Sequence, residues 1–197
     1  MTIREATIDD APFLALVLVE ALGDDIMERS VDGICLQDQR RLDLLVESIR
    51  CDGTLYCWRH AVIAQDADGK PLGALVAYPS DGYMQMRQRT FTMLDELITF
   101  DVSTMDAEAS PGEYYLDSIA VVPEARGRGV ARELLRHGIA IARKMRLPAV
   151  LACEPANIGA MSLYESLGFR HYGDLFIFGH RYLRLVVSNK GLEIACK

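Results

Sequence analysis

The chain has 197 residues of ordinary globular composition, half of them hydrophobic and a quarter charged, so we expect one domain spanning 1–197. Its net charge of −7 argues against general nucleic-acid binding. Because the sequence has neither a membrane-length apolar run nor a signal-type start, we expect a cytoplasmic protein without a membrane partner. The five cysteines are scattered and include no C-x-x-C pair, which argues against a disulfide framework and against a metal site.

The first part of the chain predicts three strands and two helices. Apolar residues that recur at helical or alternating spacing, together with glycine and proline breaks, set their approximate limits. The predicted elements are a strand at 2–8, helices at 13–22 and 36–50, and strands at 55–64 and 72–78.

The second part begins with a segment at 79–112 that is harder to assign. It reads as an insertion with a helix over 83–100, and its methionines and aromatic residues are candidates for lining an acceptor pocket as well as for packing. The elements predicted after it are a strand at 114–122, a helix at 129–146, a strand at 148–153, a helix at 156–167, and strands at 169–178 and 181–187. The strand–helix–strand unit predicts a parallel pair inside a mixed sheet, and therefore an α/β fold.

A glycine-bearing turn joins the strand at 114–122 to the next helix. Gly127 and Gly129 keep side chains away from the backbone, and the first amides of a helix carry the positive end of its dipole, so the turn suits a phosphate. The segment 126–146 has six arginines and one lysine against one glutamate, a net +6, which leaves −13 for the rest of the chain. Arginines that extend this positive charge are Arg126, Arg128, Arg132 and Arg136. A tight turn with solvated arginines fits the same residues.

Two blocks of the sequence resemble the GNAT superfamily of acetyl-CoA-dependent N-acetyltransferases. The run VVPEARGRGVA matches the family signature R/Q-x-x-G-x-G/A through Arg126, Gly129 and Ala131. The later run NIGAMSLYESLGF resembles the second block, N-x-x-A-x-x-L-Y-x-x-x-G-F. The resemblance implies a GNAT-like fold with a CoA-binding core at about 114–170. Its sheet would have about seven mostly antiparallel strands around the parallel unit, flanked by helices.

The resemblance also implies a cosubstrate, acetyl-CoA. No metal is expected, because the sequence shows no cluster of metal-ligating residues. The turn and the first helical residues would hold the pyrophosphate through backbone amides, while the strand before the turn would align the pantetheine arm. The cofactor-binding residues that it implies are Ile119, Ala120, Val121, Arg126, Gly127, Arg128, Gly129, Val130, Ala131, Arg132, Asn157 and Ala160.

Three residues are candidates for the chemistry. The resemblance places Tyr164 near the sulfur, as proton donor to the departing thiolate. Asp117 is the one ionisable side chain in an apolar strand, so burial would raise its pKa into the range of a useful base, although a hydrogen-bonded structural role is the alternative. Glu154 is the second candidate base. Some relatives carry a glutamate five residues before the position of Asn157, but this chain has Ala152 there.

The acceptor is expected to be a primary amine of a small molecule or peptide, attacked directly rather than through an acyl-enzyme. Its pocket would come from segments outside the CoA blocks, namely the loop at 23–36 and the insertion. One alternative is a non-catalytic acyl-CoA-binding regulatory module, and another is an anion- or nucleic-acid-binding module that uses the arginine-rich helix. The resemblance also implies a homodimer.

Overall fold

Seven strands and five helices are present in the part of the chain that the structure, a computed structural model, describes: residues 1–22, 39–95 and 101–188. The strands are β1 Thr2–Glu5, β2 Ala61–Gln65, β3 Pro71–Pro79, β4 Tyr114–Val121, β5 Ala149–Cys153, β6 Arg170–Ile177 and β7 His180–Val187. The helices are α1 Ala11–Leu22, α2 Gln39–Arg50, α3 Tyr83–Met93, α4 Val130–Met145 and α5 Ile158–Ser166.

All seven strands form one sheet in the order β1-β2-β3-β4-β5-β7-β6. Only β4 and β5 run parallel, and the helix α4 connects them, whereas every other neighbouring pair is antiparallel. This confirms the predicted mixed, mostly antiparallel sheet with a central βαβ unit. None of the described helices is long and apolar enough to cross a membrane.

The parallel pair is short, and this opens the sheet. The ladder between β4 and β5 contains only Tyr114 opposite Ala149 and Tyr115 opposite Val150. Beyond Tyr115 the edge of β4 that faces β5 has no strand partner, so its main-chain groups border a gap between the two strands. A gap in the middle of a sheet can receive an extended ligand, which adds hydrogen bonds as a further strand does.

A bulge lies in β4 beside this gap. Val76 pairs with Ser118 and the next residue, Ala77, pairs with Leu116, so Asp117 is the extra residue on β4. A bulge redirects a side chain and bends its strand. The bulge is therefore the local reason why a carboxylate occupies an otherwise apolar strand at this point.

Helices cover both faces of the sheet. α1 and α2 bury Leu14, Leu18 and Leu45 against one face, and α4 buries Leu134 and Leu135 against the other. The apolar stripe of α4 thus packs on the sheet, which argues against a role of this helix in inserting into nucleic acid.

The structure corrects the limits of three predicted elements. β1 ends at Glu5 rather than residue 8, because Thr7 and Asp10 form a capping box that begins a 3₁₀ turn. The strand predicted at 55–64 begins at Ala61, because residues 55–60 form turns in which the His60 amide donates to the Cys57 carbonyl at 2.8 Å. The helix predicted over 83–100 ends at Met93. The predicted acceptor loop at 23–36, the start of the helix predicted at 36–50, and residues 96–100 lie outside the described residues.

Candidate active site

A cleft with a volume of about 530 Å³ opens where β4 and β5 diverge. It receives side chains from β4, β5, β7, α4 and α5, and from the end of α1. Ten of the predicted site residues line it: Asp117, Ile119, Ala120, Val121, Arg126, Ala131, Glu154, Asn157, Ala160 and Tyr164. The other five lie in the turn and the first turn of α4, beside the cleft: Gly127, Arg128, Gly129, Val130 and Arg132.

The turn before α4 has the geometry of an anion cradle. Gly127 and Gly129 have φ angles of 73° and 82°, in the left-handed region that favours glycine. A Cβ added at either position would meet no atom within 4 Å, so the space over this backbone is open. The Glu133 amide makes the first helical bond, to the Gly129 carbonyl at 3.2 Å. The amides just before Glu133 therefore have no intrahelical acceptor, and they suit a phosphate group.

The arginines around the turn have neighbouring partners. Arg126 forms an ion pair with Glu20 of α1, across the cleft, and its Nε donates to the Val121 carbonyl at 3.2 Å. Arg132 donates to the Ser166 hydroxyl at 2.9 Å. Since Arg126 and Glu20 both line the cleft, their ion pair lies where an anionic ligand would compete for the guanidinium.

The Asp117 carboxylate is held from two sides at the bulge. Tyr78 donates a hydrogen bond to Oδ2, and the Ser118 hydroxyl donates to Oδ1 at 2.7 Å. Burial raises the pKa of Asp117, and these two hydrogen bonds oppose the rise. The group can therefore hold a proton more readily than an exposed aspartate does.

Tyr164 is buried on α5, with its ring edge-on to Phe169 at a centroid distance of 5.9 Å. Burial, followed by the nearby Cys153, raises the pKa of its phenol well above the usual value. Tyr164 is therefore a protonated hydrogen-bond donor at neutral pH.

The model of the acetyltransferase (GNAT) family matches residues 35–169 of this chain. The chain belongs to the GNAT family. This match extends the resemblance of the two sequence blocks to more than half of the chain.

Solved structures share this fold over most of the chain. An N-acetyltransferase from Staphylococcus aureus Mu50 is 23% identical, with a TM-score of 0.76 over 95% of this chain and 100% of that chain. The NatC complex bound to Gag peptide and CoA is 16% identical, with a TM-score of 0.54 over 95% of this chain and 98% of that one. At these identities the likeness concerns the fold alone.

Among curated GNAT relatives, the chain is similar to the mycothiol acetyltransferase of Acidothermus cellulolyticus. The two are 44% identical over 68 residues, which is 34% of this chain and 20% of that relative. A mycothiol acetyltransferase of Thermobispora bispora is 42% identical over 67 residues, 34% of this chain and 22% of that protein. The matched stretch thus spans about a fifth of the length of these relatives.

Glu154 follows β5 and lies on the opposite wall of the cleft from β4. Tyr182 of β7 lines the same wall, and its pKa is raised by burial and by the neighbouring Glu154 carboxylate, with which it forms a hydrogen bond. Both candidate bases, Asp117 and Glu154, therefore border one GNAT cleft together with Tyr164. In the described ranges no group of three or more potential ligands could hold a metal ion.

Sequence reasoning missed several residues of this cleft. Cys153 and Tyr182 line it, and Glu20 reaches it from the end of α1, but none of the three belongs to a motif. Within the insertion, Tyr83 and Phe91 are buried in apolar clusters and do not line this cleft. Their role in an acceptor pocket stays a prediction.

Proposed function

We propose that the protein is an acetyl-CoA-dependent N-acetyltransferase that moves the acetyl group to a primary amine by direct attack. The observation that carries this proposal is the position of the cleft. It runs along the open edge of β4, with the glycine turn beside it and with Asp117, Glu154 and Tyr164 in its walls. Family membership gives the reaction class, and the cleft is a suitable place for it.

Acetyl-CoA would supply a thioester whose acetyl carbon accepts a nucleophile. The residues available to hold it fit its parts. The open backbone of Gly127 and Gly129 suits a pyrophosphate, and the unpaired edge of β4 at Ile119 offers main-chain groups to an amide-bearing arm. The Asn157 Oδ1 caps α5 by accepting from the Ala160 amide at 3.1 Å, which leaves its Nδ2 available as a donor to a ligand.

The acceptor amine must lose its proton before or during attack, because an ammonium has no lone pair. An amine with a pKa near 10.4 is only about 0.04% neutral at pH 7, so a nearby proton acceptor helps. Asp117 is the better-placed candidate because burial raises its pKa towards the working pH. Glu154 lines the same cleft and is the second candidate.

The departing thiolate is stabilised by a hydrogen-bond donor, and Tyr164 takes this part in the proposal. Its raised pKa keeps the proton on the phenol, so complete transfer to a thiolate whose pKa is about 8.5 is uphill by roughly 2 kcal/mol or more. Tyr164 is therefore suited to donate a hydrogen bond as negative charge develops on sulfur.

Direct attack is favoured over an acyl-cysteine route. Cys153 is the thiol in the wall of the cleft, and burial raises its pKa to about 11. At pH 7 only about one such thiol in 10⁴ is ionised, and the thiolate is the nucleophilic form. We accordingly expect Cys153→Ala to retain acetyl transfer.

The experiment is an amine screen. Purified protein is incubated with acetyl-CoA and a panel of small amines and peptides, thiol release is followed, and the acetylated product is identified by mass spectrometry. Thiol release that depends on the amine, is lost in Tyr164→Phe and is retained in the control Tyr114→Phe supports the proposal. Tight acetyl-CoA binding with no turnover on any amine favours the regulatory module instead. The mycothiol relatives match too little of this chain to transfer their acceptor.

A further inference from the structure

Behind Asp117 the fold holds a second carboxylate, Glu108, which the proposed reaction has not used. The Tyr115 hydroxyl donates to Glu108 Oε2 at 2.6 Å. The Glu108 amide donates to the Tyr83 hydroxyl at 3.2 Å, so the backbone of this residue is also fixed. Glu108 is therefore a positioned group rather than a solvated loop carboxylate.

The two carboxylates are joined by one pair of tyrosines. Tyr78 of β3 and Tyr115 of β4 are direct cross-strand partners, and their ring centroids are 6.0 Å apart. Both rings are 1% exposed. Tyr78 donates to Asp117, and Tyr115 donates to Glu108. The two tyrosines thus hold both acids on the sheet face that packs against α1 and α2. Asp117 also lines the cleft.

The surroundings leave the negative charge poorly compensated. Among the described residues neither carboxylate forms a salt bridge. The Arg87 guanidinium of α3 donates to the Val102 and Met105 carbonyls, and it lowers the pKa of Glu108 only as the smallest contribution. The other titratable groups that face the pair are Tyr56 and His60 before β2, Tyr83 on α3 and Tyr182 on β7.

We propose that Glu108 is a positioning residue that acts with Asp117 as one proton-holding pair at the acceptor end of the cleft. The proposal rests on the function proposed above, in which the acceptor ammonium gives its proton to Asp117. In that step the N–H bond breaks, its electron pair stays on nitrogen, and an O–H bond forms at Asp117. Glu108 exchanges no atom with the substrate, and its charge sets how strongly Asp117 attracts the proton.

The pKa shift of Glu108 has the direction that the proposal requires. Burial, followed by the charge of Asp117, raises the pKa of Glu108 to about 7. Above that pH Glu108 is an anion, which strengthens Asp117 as a base, and below it the neutral acid leaves Asp117 weaker. The pair therefore converts a change around neutral pH into a change in base strength inside the cleft.

The test is a pH titration of the side-chain carboxyl carbons by ¹³C NMR on the full chain, with Asp117→Asn and Glu108→Gln as assigning variants. In the wild type we expect one glutamate resonance to titrate near pH 7. Glu108→Gln should remove it, and Asp117→Asn should lower its midpoint by at least half a pH unit, because the charge of Asp117 helps to raise the pKa of Glu108. Tyr115→Phe should also move the Glu108 midpoint, whereas Tyr114→Phe, on the opposite face, should leave it unchanged.

An ordinary midpoint for Glu108, or a Glu108 midpoint that responds to neither Asp117→Asn nor Tyr115→Phe, would overturn the pair. Tyr115→Phe keeps the test decisive even if Glu108→Gln fails to fold. The titration uses neither acetyl-CoA nor an amine, so its failure is distinguishable from failure of the proposed activity. Once an acceptor is found, Glu108→Gln should lower kcat above pH 7, where the wild-type Glu108 is charged, and leave KM for acetyl-CoA unchanged.

Discussion

At the scale of single residues, the surroundings of Tyr164 and Asp117 in the cleft give the two side chains different proton affinities. The Tyr164 phenol stays protonated because it is buried, whereas Asp117 is a carboxylate whose proton affinity is raised by burial and limited by two hydrogen bonds. One group is therefore suited to donate a hydrogen bond and the other to accept a proton. Such separation of proton affinities within one cleft is what acid–base catalysis at neutral pH requires.

Replacing Tyr164 with phenylalanine tests the donor. We expect kcat for acetyl transfer to fall about 10- to 100-fold, because the donor acts on charge that develops only in the transition state. The affinity for acetyl-CoA, measured by calorimetry, should stay within about twofold because the ring and its contact with Phe169 remain. An unchanged kcat would exclude Tyr164 as the donor.

At the scale of elements, α1 and the glycine turn before α4 meet across the mouth of the cleft through Glu20 and Arg126. Both side chains are about half exposed, at 56% and 51%, so their ion pair contributes at most about 1 kcal/mol. A ligand phosphate would have to compete with Glu20 for Arg126. The end of α1 thus opposes anion binding at the site that α4 favours.

Glu20→Gln should therefore tighten acetyl-CoA binding by about two- to fivefold at low ionic strength, because it releases Arg126 and removes a negative charge from the cleft. The gain should shrink in about 0.5 M salt. Glu47→Gln, at an exposed position on α2, is the matched control. Weaker binding by the Glu20 variant would show that the ion pair supports the cleft instead of competing with the ligand.

Local sequence allowed the glycine turn and α4 to be predicted, because positive-φ glycines and the apolar stripe of one helix are encoded within about twenty residues. The same holds for Tyr164 and Asn157, which one short helix places together. The strand predicted at 55–64 was wrong in its first half. Leu55, Tyr56 and Cys57 are buried but lie in turns, and an apolar run of this kind in the sequence resembles that of a strand.

The partnership of Asp117 with Tyr78 could not be predicted from the sequence. It depends on the register between β3 and β4 and on a bulge that turns Asp117 towards Tyr78. No spacing in the chain encodes a contact between residues 39 positions apart. The position of Asp117 in the cleft is therefore set by tertiary structure.

At the scale of the whole molecule, holding Glu108 inside the fold links stability to pH. The folded protein keeps this proton up to a pH of about 7, while the unfolded chain releases it near 4.5. The stabilisation is therefore complete below pH 4.5 and is lost as the pH rises through 7. From pH 5 to pH 8 this group alone lowers the free energy of unfolding by about 2 kcal/mol.

This pH dependence of stability is checked by urea unfolding of the wild type and of Glu108→Gln at pH 5 and at pH 8. The variant should lack the decrease, so its stability relative to the wild type should rise by about 2 kcal/mol between pH 5 and pH 8. Glu5→Gln, at an exposed position on β1, should follow the wild-type slope. Parallel slopes for wild type and Glu108→Gln would mean that Glu108 titrates alike in the folded and unfolded chains.

The central claim, that this cleft binds acetyl-CoA through the glycine turn, is tested most directly by calorimetric titration of the wild type and Gly129→Glu with acetyl-CoA. Gly112→Glu is the matched control, because Gly112 has a φ of 83° and open space at its Cβ, like Gly129, but precedes β4 at the end away from the cleft. We predict binding by the wild type and by Gly112→Glu, and at least a tenfold loss in Gly129→Glu, whose added carboxylate occupies the anion cradle. Equal binding by all three proteins, or none by the wild type, would contradict the account.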